Sequence, residues 1–333
     1  NNVGTYNKNG NSVTTVDGGV AFNNAGTVNI NAGTFRPSGG SSTGSFVIAA
    51  GATLDFRNGN STLDQATTSG AGLLLISSDN VGADALVTVN GGSHTTAFTL
   101  SGSIMNGADH SFQGPVSWTG GAIAGDGTGG FESTTFTNDV SISGAATKTL
   151  QAGRTLNLQG TTTWSGNTAN NNNAISFAGG TINNSGSFND QNAFSTALSH
   201  FSGTNTFNNA GSYTKSGNST TTIGIVFNNT GSLAINAGSM LLNGSTHSGP
   251  ISIGTGASLE FRNGTNTLNG VTVSGNGTLV ISTDNVGADG VPSINGGQVD
   301  TAFLLSGGPL YGTAHTINGT ATWTGGSIRR DGA

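Results

Sequence analysis

Asp79-Asn80-Val81-Gly82-Ala83-Asp84 recurs unchanged as Asp284-Asn285-Val286-Gly287-Ala288-Asp289. Two carboxylates, an amide and loop carbonyls within six residues form an all-oxygen donor set of the kind Ca²⁺ takes. The blander reading is an Asx-stabilised loop, in which Asp and Asn bond their own backbone. Calcium is the one ligand this segment invites; no other cofactor is expected. Trp118, Trp164 and Trp323 each precede Thr-Gly or Ser-Gly. Such rings stack on sugars when exposed and fill a core when buried. Trp118 and Trp323 are copies at one phase of a repeat, which favours the core. Asp55/Arg57 and Glu260/Arg262 read as outward-facing ion pairs on a strand, each worth about 0–1 kcal/mol.

Catalytic chemistry is not expected. The 15 acidic residues occur mostly singly, and His94, His110, His200, His247 and His315 show no metal-ligand spacing. Carbohydrate-cleaving sites need paired carboxylates in a groove. The nine Lys and Arg are scattered and the net charge is −6, so a phosphate backbone is not an expected partner. No apolar run reaches membrane-spanning length. Without cysteine there is no disulfide framework. Thr161-Thr162-Thr163 and Thr220-Thr221-Thr222 are too isolated for an ice-binding face, and the frequent Asn-x-Ser/Thr sequons, such as those at Asn60, Asn218, Asn243, Asn263, Asn276 and Asn318, follow from composition.

What positions these residues is a long repeat. Residues 22–128 return without a gap as 227–333, about half identical. Phe56-Arg57-Asn58-Gly59 returns as Phe261-Arg262-Asn263-Gly264, and Trp118-Thr119-Gly120-Gly121 as Trp323-Thr324-Gly325-Gly326, each 205 residues on. A register kept this long gives each position a fixed structural place. Asn1-Asn2-Val3-Gly4-Thr5-Tyr6 matches Asn208-Asn209-Ala210-Gly211-Ser212-Tyr213, 207 residues on. Residues 1–207 thus read as one full unit and 208–333 as a partial second copy of one continuous solenoid. The chain opens and closes in mid-repeat, as a window on a longer array would.

Helix signals are nearly absent, and 57 glycines punctuate the chain. Strand signals recur: in Leu54-Asp55-Phe56-Arg57 the apolar residues share one face, and Leu259-Glu260-Phe261-Arg262 keeps the alternation. A finer period lies beneath, since Phe207-Asn208-Asn209 returns as Phe227-Asn228-Asn229 after 20 residues. Short strands, Gly and Asn corners and coils of about 20–22 residues predict an all-β, right-handed parallel β-helix. Stacked asparagines at equivalent corners should bond rung to rung.

Runs such as Phe-Asn-Asn-Ala-Gly-Thr-Val-Asn-Ile-Asn-Ala-Gly (22–33) and Ser-Trp-Thr-Gly-Gly-Ala-Ile-Ala-Gly (117–125) resemble the β-strand-repeat regions of very large bacterial surface proteins. These are similar to filamentous-haemagglutinin-type adhesins and autotransporter passengers. The resemblance implies a secreted β-solenoid forming a fibre, stalk or biofilm-matrix element on the cell surface. Its expected partner is itself, by end-to-end or lateral assembly. The alternative is an adhesin module binding glycans or other cell surfaces along its face. The family supplies no catalytic residues to carry over.

Overall fold

The computed structural model describes residues 1–17, 19–78, 85–130, 132–166, 173–283 and 291–330. Among them there is no helix; short strands alternate with bends and turns. The chain divides into two compact units, Asn1–Thr162 with Ala178–Thr181, and Thr163–Phe177 with Ile182–Ala333. Each is a parallel β-solenoid.

In the first unit, Thr5–Lys8 pairs with Thr27–Ile30, which pairs with Ser45–Ile48 and so on to Thr67–Ser69, always in parallel. A second sheet stacks Val13–Val16, Thr34–Pro37, Thr53–Phe56, Leu73–Ile76, Ala97–Leu100, Val116–Trp118 and Val140–Ile142. The second unit repeats the plan. Ser187–Asp190, Ser212–Lys215, Ser232–Ile235 and Ile251–Ile253 form one ladder; Thr206–Asn209, Val226–Asn229, Ser245–His247 and Thr265–Asn269 form another.

Period-2 alternation explains why these stretches are strands. Side chains at i and i+2 point inward, and in parallel register each lies over its counterpart one coil away. Leu54 and Phe56 are buried as the alternation predicts, as are Leu259 and Phe261. One coil alone could bury little; stacking removes each such side chain from water, a gain of about 1.5–3 kcal/mol apiece. Aromatic rings then lie over one another: Phe98 on Phe112 at 4.2 Å and 12°, Phe188 on Tyr213 at 5.1 Å and 16°.

The coil length is not uniform. Thr27 to Ser45 is a step of 18 residues, and Leu63 to Val89 a step of 26. The expected 20–22 is therefore a mean rather than a rule. Rung positions are held by backbone ladders, and connecting loops absorb the difference. Glycine is obligatory at some corners. Gly70 (φ +103°) and its copy Gly275 (φ +105°) lie so close to the coil below that a Cβ would sit 2.2 Å from the Ile48 and Ile253 carbonyl oxygens. No other residue fits that contact or that backbone.

Candidate functional site

The Asn-Asn corners build two parallel ladders. Asn208 donates to Asn183 and Asn228 to Asn208, both at 2.9 Å, along the outer face. Asn184, Asn209 and Asn229 point inward and are buried; Asn184 Nδ2 donates to Asn209 Oδ1 at 2.7 Å and Asn209 Nδ2 to Asn229 Oδ1 at 2.6 Å. In the first unit Asn2 donates to Asn24 at 2.8 Å, and Asn29 to Asn7 at 2.8 Å. Each amide is both donor and acceptor, so it can satisfy the rung on either side. The rung-to-rung bonding expected at corners is present.

The inner ladder ends differently in the two units. Ser42 follows Asn24 in register, whereas His247 follows Asn229. His247 is fully buried between Phe227 and Phe261, each with its ring centroid 5.9 Å away, and neither ring nitrogen has a hydrogen-bond partner. Burial pushes its pKa down to about 3. The ring is neutral at neutral pH, and a proton there would be costly.

Two clusters of buried charge were not anticipated. In the first unit Arg154, fully buried, donates through Nε to Thr134 Oγ1 at 2.9 Å, through Nη1 to the Gly107 carbonyl at 2.6 Å, and through Nη2 to the Ser133 carbonyl at 2.8 Å. His110 lies beside it, 3.0 Å from Thr134 Oγ1 and 2.9 Å from the Val89 carbonyl. Burial, then the neighbouring guanidinium, lowers the His110 pKa to about 3. Burial also lowers Arg154 to about 10. With the Ala108 carbonyl 3.3 Å from Nη2, four carbonyl and hydroxyl acceptors surround one guanidinium and plug the coil interior.

The second unit holds Asp190 and Lys215, both fully buried. They are register partners on adjacent rungs, with Lys215 Nζ 3.9 Å from Asp190 Oδ2. Asp190 Oδ1 accepts from the Asn192 backbone N–H at 3.2 Å and from Asn192 Nδ2 at 2.8 Å. Oδ2 accepts from Thr221 Oγ1 at 2.5 Å and from the Tyr213 hydroxyl at 3.4 Å. Lys215 also donates to the Gly217 carbonyl at 2.9 Å. Burial lowers the Lys215 pKa, and the Asp190 charge partly restores it; burial and then Asp190 push the Tyr213 hydroxyl well up. An inward parity signal was present in the sequence: Lys215 stands two residues after Tyr213 on one strand, so both take the same face.

The ion pairs read from the sequence are real in one copy and re-routed in the other. Glu260 pairs with Arg262 on its own strand at 2.8 Å and accepts from Ser282 at 2.5 Å. Asp55 instead pairs across the rung with Arg36 at 2.8 Å, and accepts from Ser77 at 2.7 Å. Asp55 is only 2% exposed, so the expected surface partnership with Arg57 gives way to a half-buried cross-rung bridge.

Asp79, Asp84, Asp284 and Asp289 lie outside the described residues. Among the described residues no group of three or more His, Cys, Asp or Glu side chains could hold a metal ion. Trp118 and Trp164 are fully buried, with Trp164 Nε1 donating to the Asn173 carbonyl at 2.9 Å. Rings so enclosed have no face left for a sugar. Trp323, expected in the core as the copy of Trp118, is instead 61% exposed. Its strand pairs with Ala302–Leu305 on one side, and no described strand covers the other. An open groove of about 480 Å³ in the first unit is lined by Ser78, Ala85, Leu86, Ser101, Ile104 and Thr147 among others, none ionisable. No family model matches the chain, and no match to a curated protein or a solved structure was found.

Proposed function

We propose that this chain is a structural segment of an extracellular fibre or stalk, on a bacterial cell surface or in a biofilm matrix. The observation that carries the reading is the 205-residue repetition laid over a parallel solenoid. What the repeat preserves is scaffold: the inward apolar positions, the corner glycines such as Gly70 and Gly275, and the Asn ladders. A repeated scaffold serves length and mechanical continuity, since every added rung buries the one before it. Buried charge in both units is spent on closing the coil interior, at Arg154 and at Asp190. Extracellular placement draws on the resemblance of the Phe-Asn-Asn-Ala-Gly runs to bacterial surface repeats.

A second reading, recognition of glycans or other surfaces along the solenoid face, draws on two exposed rings in the second unit. Phe201 is 78% exposed and Phe194 43%. Electron cryo-microscopy of native material at low concentration separates the two. Subunits joined end to end with strand spacing of about 4.8 Å along the axis support the fibre. Isolated particles that never join, together with specific glycan capture lost in Phe201→Ala, would move the reading to the adhesin.

A further inference from the structure

Asp190 and Lys215 differ from every other charged pair in the described residues. Both are wholly buried, they are stacked in register, and the carboxyl is held by donors on each oxygen separately. We propose that Lys215 Nζ and Asp190 Cγ join in a self-generated isopeptide bond that staples the rung Ser187–Asp190 to the rung Ser212–Lys215.

The geometry supplies the reactants and their polarisation. In-register parallel strands place equivalent side chains about 4.8 Å apart and pointing the same way, so a lysine laid over an aspartate brings amine and carboxyl together on folding. Such positioning is worth an effective molarity of about 10⁵–10⁸ M in favourable cases. A proton passes from the ammonium to the carboxylate within the pair, leaving a free amine. Burial, which disfavours the ammonium, helps that transfer. The amine lone pair then attacks Cγ. Negative charge gathers on Oδ1, where the Asn192 backbone N–H and Nδ2 donate at 3.2 and 2.8 Å. That arrangement is an oxyanion hole. Oδ2 is the leaving oxygen, held by Thr221 at 2.5 Å and Tyr213 at 3.4 Å. Tyr213 passes a proton to it and regains one from the attacking nitrogen. The Nζ–Cγ bond forms, the Cγ–Oδ2 bond breaks, and one water leaves. No oxidant, metal or cofactor is consumed. Exclusion of water from the site opposes the reverse reaction.

An internal control exists. Lys148 is also fully buried, yet it donates to the Gly144 and Ala146 carbonyls and faces no carboxylate. It should remain a free amine. The inference rests on the buried pair alone and stands or falls independently of the fibre reading.

The test is peptide mapping of the aged, folded protein after full denaturation. Trypsin should cut after Lys148 but not after Lys215, because an acylated lysine is not a substrate. The expected product is one peptide, residues 155–262, lighter than its sequence by one water, with fragmentation placing the bond between Asp190 and Lys215. Lys215→Arg and Asp190→Ala should restore the full mass. Separate peptides 155–215 and 216–262 at full mass from wild-type protein would overturn the proposal. So would a water loss that survives in Lys215→Arg. The wild-type map reads the bond directly, so a variant that fails to fold does not weaken the test.

Discussion

Asp55 and Glu260 occupy one position in two copies of the repeat, yet they choose different partners. Asp55 reaches across the rung to Arg36; Glu260 turns along its own strand to Arg262. The cause is a single place in the sequence. Leu241 stands where the second copy would need Arg36, opposite Glu260 in the register. The longer glutamate side chain then reaches the arginine two residues on. Both acids keep the serine of the following rung, Ser77 or Ser282. Backbone register is equally conserved: Thr53 lies beside Leu73, and Ser258 beside Thr278. The lesson is that the ladder fixes where side chains meet, while the outward chemistry is free to re-pair.

The sharpest way to break the equivalence is at the tryptophans. Trp118→Ala removes a fully buried ring and should cost about 3–5 kcal/mol. Trp323→Ala, at a 61% exposed ring, should cost less than about 1 kcal/mol. Urea midpoints of the two variants against wild type read the difference; equal losses would mean that Trp323 is covered.

Acid should separate the copies next. Ser42 carries no titrating group, whereas His247 has a folded pKa of about 3 against an ordinary value of 6.5. The unfolded chain therefore binds the extra proton between those values. Stability is full above about pH 6.5 and falls as pH drops towards 3, by about 1.4 kcal/mol per pH unit for this residue. His247→Asn, which extends the ladder from Asn229, should flatten the loss in denaturation curves run at pH 7 and pH 5. His110 in the first unit should respond in the same direction.

Smaller effects test the re-routed charges. Arg36→Leu strands the nearly buried Asp55 and should cost about 1–3 kcal/mol. Arg262→Leu, from a pair 36% and 15% exposed, should cost under about 1 kcal/mol. Leu241→Arg offers Glu260 the cross-rung partner and should gain no more than about 0.5 kcal/mol, read as a shift in thermal midpoint. A double-mutant cycle on Leu241→Arg and Glu260→Gln would show whether the new pair forms at all.

The all-β class, the parallel solenoid and the inward faces of Leu54, Phe56, Leu259 and Phe261 were legible because alternation and a long register are local signals. So were the Asn corners. The Asp55–Arg36 bridge was not legible, since a neighbour 19 residues away in sequence depends on coil length, and coil length is set by loops. The buried Asp190–Lys215 pair was hidden for a related reason. Charged residues in a sparsely charged chain read as surface, and only the parity of Asp190 with Phe188 and of Lys215 with Tyr213 pointed inward.

Hydrogen exchange resolved along the chain tests the central claim most directly, that the two copies share one hydrogen-bonded scaffold beneath different side-chain chemistry. The amides of Thr53–Phe56 and Leu73–Ile76 should be protected to the same order as those of Ser258–Phe261 and Thr278–Ile281. Exchange near the unfolded rate in either copy, with the other protected, would contradict it.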